Sequence, residues 1–80
     1  MATPLTRLFA ERVRREARAK GLSVNKLADF SGLSRGFLSE VLRGVKSPSL
    51  DTVEKIASAL DVEAWQLLRE DRGDRVKRTG

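Results

Sequence analysis

The stretch SVNKLADFSGLSRGFLSEVLRG, residues 23–44, decides the fold. Two helix-length pieces lie within it, opened by Ser23 and Ser34 and closed by Gly32 and Gly44. A serine at the N-cap accepts a hydrogen bond from a first-turn N–H, and glycine takes the left-handed conformation in which helices end. A leucine precedes each serine and another lies four positions beyond it, Leu22 with Leu27 and Leu33 with Leu38, the spacing of a hydrophobic staple. The spacing predicts two short helices joined by the Gly32-Leu33-Ser34 turn.

In the second of these helices Leu38, Val41 and Leu42 recur at i, i+3 and i+4 and define the buried side, with Phe37 flanking it. The opposite side is then Arg35, Gly36, Ser39, Glu40 and Arg43, a stripe of small and hydrogen-bonding residues that the core does not need. The B-DNA major groove, about 12 Å wide, admits a helix whose N-terminal side chains meet base edges. Gly36 costs up to about 1 kcal/mol of helix propensity relative to alanine, but it lets a backbone approach closely.

Working outward, Thr3-Pro4 opens a first helix with a hydroxyl at the N-cap and proline at the first helical position. Leu5, Leu8, Phe9, Val13 and Ala17 follow helical spacing, and Gly21 closes the helix after Arg18 and Lys20. Downstream, Ser49 caps a fourth helix with Leu50, Val53, Ile56, Ala57 and Leu60 on one side. A fifth, from about Glu63, offers Ala64, Trp65, Leu67 and Leu68, with Trp65 expected in the core or a dimer interface. The expected fold class is all-α, a compact five-helix bundle. Residues 1–70 are assigned to one domain, and residues 71–80 to a charged tail expected to fray, since it has no apolar periodicity.

Composition narrows the function classes. With 80 residues there is room for one small domain, and 40% hydrophobic with 34% charged residues suits a soluble globular chain. The absence of cysteine and histidine removes disulfides, the usual thiolate and imidazole metal sites and nucleophile–histidine pairs. No catalytic residue, metal ligand or cofactor is assigned, and Asp51, Glu54, Asp61 and Glu63 have no nucleophile beside them. No apolar run approaches the roughly 20 residues of a membrane span, and arginines stand where a signal peptide would have its apolar block, so a cytoplasmic location is expected. The net charge of +5 is uneven: residues 1–49 carry +6, residues 50–70 carry −3 and the tail +2. The basic surplus coincides with the stripe and points to a polyanion, most economically nucleic acid.

The segment SVNKLADFSGLSRGFLSEVLRGVKSPSLDTVEKIASALDV resembles the Cro and phage-repressor helix-turn-helix family, also called XRE. The resemblance runs from about Leu5 to Leu68. It rests on Leu27-Ala28, Gly32-Leu33-Ser34, Leu38-Ser39, Arg43-Gly44, Pro48-Ser49-Leu50 and the run from Ile56-Ala57 to Leu60. It implies a lambda-repressor-like DNA-binding domain whose third helix enters the major groove, with Arg35 and Glu40 as base readers and Gly36 and Ser39 shaping the approach. An arginine there can take guanine O6 and N7 bidentately, and a phosphate clamp or a solvated charge is the alternative. Glu40 can accept from cytosine N4 or pair with Arg43 at i, i+3.

Ser34 is expected to cap its helix and to touch phosphate, and Arg43, Lys46 and Ser47 are further candidates for phosphate contact. Two departures stand out, Val24 where the family often has glutamine and Leu42 where it often has glutamate. Asn25, or the backbone N–H groups at the Ser23 cap, can supply the phosphate contact that Val24 cannot. Arg7, Arg14, Arg15 and Arg18 are read as solubility and steering charges.

The resulting expectation is a sequence-specific, double-stranded-DNA-binding transcriptional regulator. It is expected to be a repressor acting as a homodimer on an inverted repeat, without cofactor and associated with the nucleoid when bound. The competing reading is a protein-interaction module, such as an antitoxin or accessory subunit, that uses the same bundle to bind a protein partner, with Val76 of the tail folding on it. An enzyme has no motif in its support.

Overall fold

Helix boundaries fall where serine and glycine put them. The computed structural model describes residues 4–69. They form α1 (Pro4–Ala19), α2 (Val24–Ser31), α3 (Arg35–Leu42) and α4 (Leu50–Leu60), followed by a 3₁₀ turn over Ala64–Leu67. No strand occurs among the described residues. Ser23, Ser34 and Ser49 cap α2, α3 and α4, their hydroxyls accepting from the backbone N–H of Lys26, Phe37 and Thr52 at 3.1 Å each. Thr3, Val76 and the whole 71–80 tail lie outside the described residues.

All four α-helices end in the same hydrogen-bonded motif. After α2, Gly32 sits at φ 75° and the N–H of Leu33 reaches back to the carbonyl of Ala28 at 3.1 Å. This is a Schellman closure, which turns Leu33 inward onto the core. Equivalent bonds run from Leu22 to Ala17, from Val45 to Glu40 and from Val62 to Ala57. In α4 the left-handed position is filled by Asp61, at φ 61°, instead of glycine.

The caps direct every apolar face to one centre. Phe9, Val13, Leu27, Leu38, Val41, Ile56, Leu60 and Leu67 are fully buried there, and Leu22, Leu33 and Phe37 pack against them. Helix α2 packs on α3 and α4, and α1 crosses α3, α4 and the 3₁₀ turn. At about 25 cal/mol per Å² of apolar surface, each large side chain buried this way contributes roughly 1.5–3 kcal/mol.

Three expectations are corrected. The bundle has four α-helices and a 3₁₀ turn where five helices were expected. The bonds from Gln66 N–H to the Glu63 carbonyl and from Leu68 N–H to the Trp65 carbonyl are i to i+3, as suits a segment too short to propagate an α-helix. Leu5 and Leu50, assigned to core faces, are 54% and 78% exposed, because each occupies the first turn of its helix, past the end of the layer it packs against. Trp65 is not in the core either: it is 57% exposed, with the Arg69 guanidinium 5.7 Å from its ring centroid.

Candidate nucleic-acid interface

Burial of Leu38, Val41 and Leu42 leaves the other side of α3 outward. Arg35, Gly36 and Arg43 are exposed, while Ser39 and Glu40 are half-buried at their bases. A three-residue turn holds α3 against α2, and because Ser34 and Gly32 satisfy the backbone on both sides of it, the stripe is presented on a rigid pair of helices. A Cβ added at Gly36 would meet no atom within 4 Å, so no packing demand inside the protein requires glycine there.

Arg35 does not hang in solvent. Its Nη1 donates to Oδ1 of Asn25, in the first turn of α2, at 2.9 Å. One N–H of the guanidinium is thereby fixed and the remaining donors stay available for a bidentate acceptor. Glu40 pairs with Lys46 at 3.8 Å, across the end of the helix, rather than with Arg43 as one reading of the spacing had it. Ser47 in the following loop shares a hydrogen bond of 3.1 Å with the Thr6 hydroxyl of α1. That contact pins the loop next to the helix end.

The structure therefore brings the sequence-predicted residues onto one surface in two groups. Ser23 and Asn25 stand beside Arg35 and Ser39 at the α2 end, and Glu40, Arg43, Lys46 and Ser47 gather at the C-terminal end of α3 and the loop after it. Ser34 has its hydroxyl engaged as a cap. Sequence reasoning missed the contacts joining these groups to the rest of the chain: Asn25 with Arg35, Thr6 with Ser47, and the bond from Arg14 Nη1 to the carbonyl of Leu42. The partners are 10, 41 and 28 positions apart, and no local pattern marks them. Among the described residues no group of carboxylates could hold a metal ion, and no helix is long and apolar enough to cross a membrane.

The Helix-turn-helix family model matches residues 12–64, which include all of α2, the turn and α3. The chain belongs to the helix-turn-helix family. Control protein C.BamHI of Bacillus amyloliquefaciens is 38% identical over 69 residues, covering 85% of this chain and 85% of its own length. The HTH-type transcriptional regulator SinR of Bacillus licheniformis is 31% identical over 64 residues, and the chain spans 58% of the length of that relative.

Among solved helix-turn-helix structures, the restriction-modification controller protein C.AhdI of Aeromonas hydrophila superposes with a TM-score of 0.75 at 42% identity, covering 78% of this chain and 94% of that one. SinR, described as the master regulator for biofilm formation and solved in complex with DNA, superposes with a TM-score of 0.72 at 31% identity, covering 76% of this chain and 98% of that one.

Proposed function

We propose that this chain is a DNA-binding transcriptional regulator, not an enzyme, that reads duplex DNA with the outward face of α3. The observation that carries the reading is the stripe itself: Arg35, Gly36, Ser39, Glu40 and Arg43 point away from the core on a helix clamped to its neighbour. DNA binding by the similar SinR and control by the similar C.AhdI support it.

Arg35 takes guanine O6 and N7, a pairing that discriminates by roughly 1–3 kcal/mol. Asn25 holds its guanidinium in place. Gly36 and Ser39 let the helix approach, and Glu40 accepts from cytosine N4 when Lys46 moves to the backbone. Ser23, Ser34, Arg43, Lys46 and Ser47 touch phosphate, which positions α3 without reading sequence.

The same reading extends to a repressor that binds an inverted repeat as a homodimer in the cytoplasm, at the nucleoid. Exposed Leu5 and Leu50 support the dimer: together with Pro48 and Leu68 they line one apolar groove. A dimer on an inverted repeat would read two half-sites about 34–36 Å apart, or a multiple of that.

Incubation of the purified chain with a random duplex pool, followed by sequencing of the retained DNA, tests the proposal. Enrichment of an inverted repeat is expected. Retention without enrichment, lost steeply as salt rises, would leave only phosphate attraction and contradict sequence readout.

A further inference from the structure

Resting on the DNA-binding reading above, we propose that Arg14 and Arg18 of α1 are direct phosphate contacts that extend the interface beyond the helix-turn-helix pair. On α1 the residues Arg7, Arg14 and Arg18 fall at i, i+7 and i+11, one stripe along the helix. The structure lays the C-terminal part of that stripe beside the recognition surface. Arg14 and Arg18 line the same groove as Ser23 at the start of α2 and as Ser39 and Arg43 of α3. The floor of that groove is apolar, made by residues such as Ala17 and Leu42, and no carboxylate lines it.

Three arginines therefore line one groove that no carboxylate lines. Glu16 pairs with Lys20, Glu40 with Lys46 and Asp51 with Lys55, and none of these six residues lines the groove. Arg14 is oriented by its bond to the carbonyl of Leu42 at the end of α3, so one N–H of its guanidinium is anchored to the recognition helix while the residue as a whole stays exposed. Arg14 and Arg43 also border a second groove, which Arg7 and one carboxylate, Glu11, line as well. A strand of duplex DNA whose phosphate sits at the Ser23 cap runs along this groove, and the next phosphate meets Arg18 and Arg14. A polyanion relieves the mutual repulsion of these cations, and each phosphate neutralised releases condensed counterions.

The test is the salt dependence of binding. Anisotropy of a labelled duplex of scrambled sequence is titrated with the full chain between about 50 and 200 mM salt, for wild type, Arg14→Gln, Arg18→Gln, the double variant and Lys55→Gln. Lys55→Gln removes one positive charge on α4, away from the groove. The slope of log K against log salt is expected to shrink by about 0.9 for each arginine removed and by about 1.8 for both, with Lys55→Gln close to wild type.

Arg14→Gln also removes a hydrogen bond at a helix end, so Arg18→Gln, checked by an unchanged melting temperature, decides the matter alone. A slope for Arg18→Gln equal to that of Lys55→Gln overturns the proposal while the DNA reading stands. Failure of the wild-type chain to bind any duplex overturns both.

Discussion

At the scale of single residues, two positions tie sequence to function most closely. Gly36 stands in the first turn of α3 with open space around it, so its absent side chain serves nothing inside the folded protein. Replacement by alanine removes a propensity cost of up to about 1 kcal/mol, which for a domain this size raises the melting temperature by several degrees. The expected outcome for Gly36→Ala is a more stable protein that binds duplex DNA more weakly, because the new methyl group meets the groove wall. Calorimetry and anisotropy on the same sample check it, and higher stability with undiminished affinity would remove the close approach from the mechanism.

Arg35 was legible as an outward residue from the i, i+3, i+4 pattern of Leu38, Val41 and Leu42. Its bond to Asn25 was not. Periodicity reports which face a residue occupies, whereas a side-chain contact across a turn depends on how two helices cross.

At the scale of elements, the caps explain why the helix-turn-helix could be read before any packing was known. Ser23, Ser34 and Ser49 and the glycines that close α1, α2 and α3 act within a few residues of themselves, so their effect on the backbone is written locally. The fourth closure departs from that rule. Asp61 holds a left-handed conformation that glycine adopts without steric cost, and its carboxylate sits at the negative end of the helix dipole.

Asp61→Gly is expected to stabilise the chain by about 0.5–1 kcal/mol, or roughly 2–8 °C in melting temperature, after allowing for the added entropy of the unfolded state. Thermal unfolding measures it, and a fall in melting temperature would show that the Asp61 side chain does more than end the helix. The element that misled was the last one. Apolar residues at Ala64, Trp65, Leu67 and Leu68 suggest a helix face, but a run this short is held by tertiary contact and tightens into i to i+3 bonds.

At the scale of the whole molecule, the charge map and the apolar map fall on different residues. The basic surplus lies in residues 1–49, the part of the chain that contains α3, whereas the groove lined by Leu5, Pro48, Leu50 and Leu68 is apolar. The sequence put Leu5 and Leu50 on the apolar faces of their helices because periodicity reports a face and not how far along the helix its burial extends. Leu50→Glu therefore tests the dimer without touching the core, given that Leu50 is 78% exposed. Sedimentation velocity is expected to show a dimer for wild type and a monomer for Leu50→Glu, with similar melting temperatures at low protein concentration. Identical sedimentation of the two would assign the groove another role.

The most direct test is to repeat the random-pool selection with wild type, Arg35→Ala, Asn25→Ala and Lys46→Ala and to compare the base preferences recovered. Loss of preference at one base pair per half-site is expected for Arg35→Ala, and a weaker loss at the same base pair for Asn25→Ala, while Lys46→Ala keeps every preference and binds all sequences more weakly. An Arg35→Ala protein that selects the same sequence as wild type, with affinity lowered evenly on every duplex, would show that α3 holds the backbone and does not read the bases.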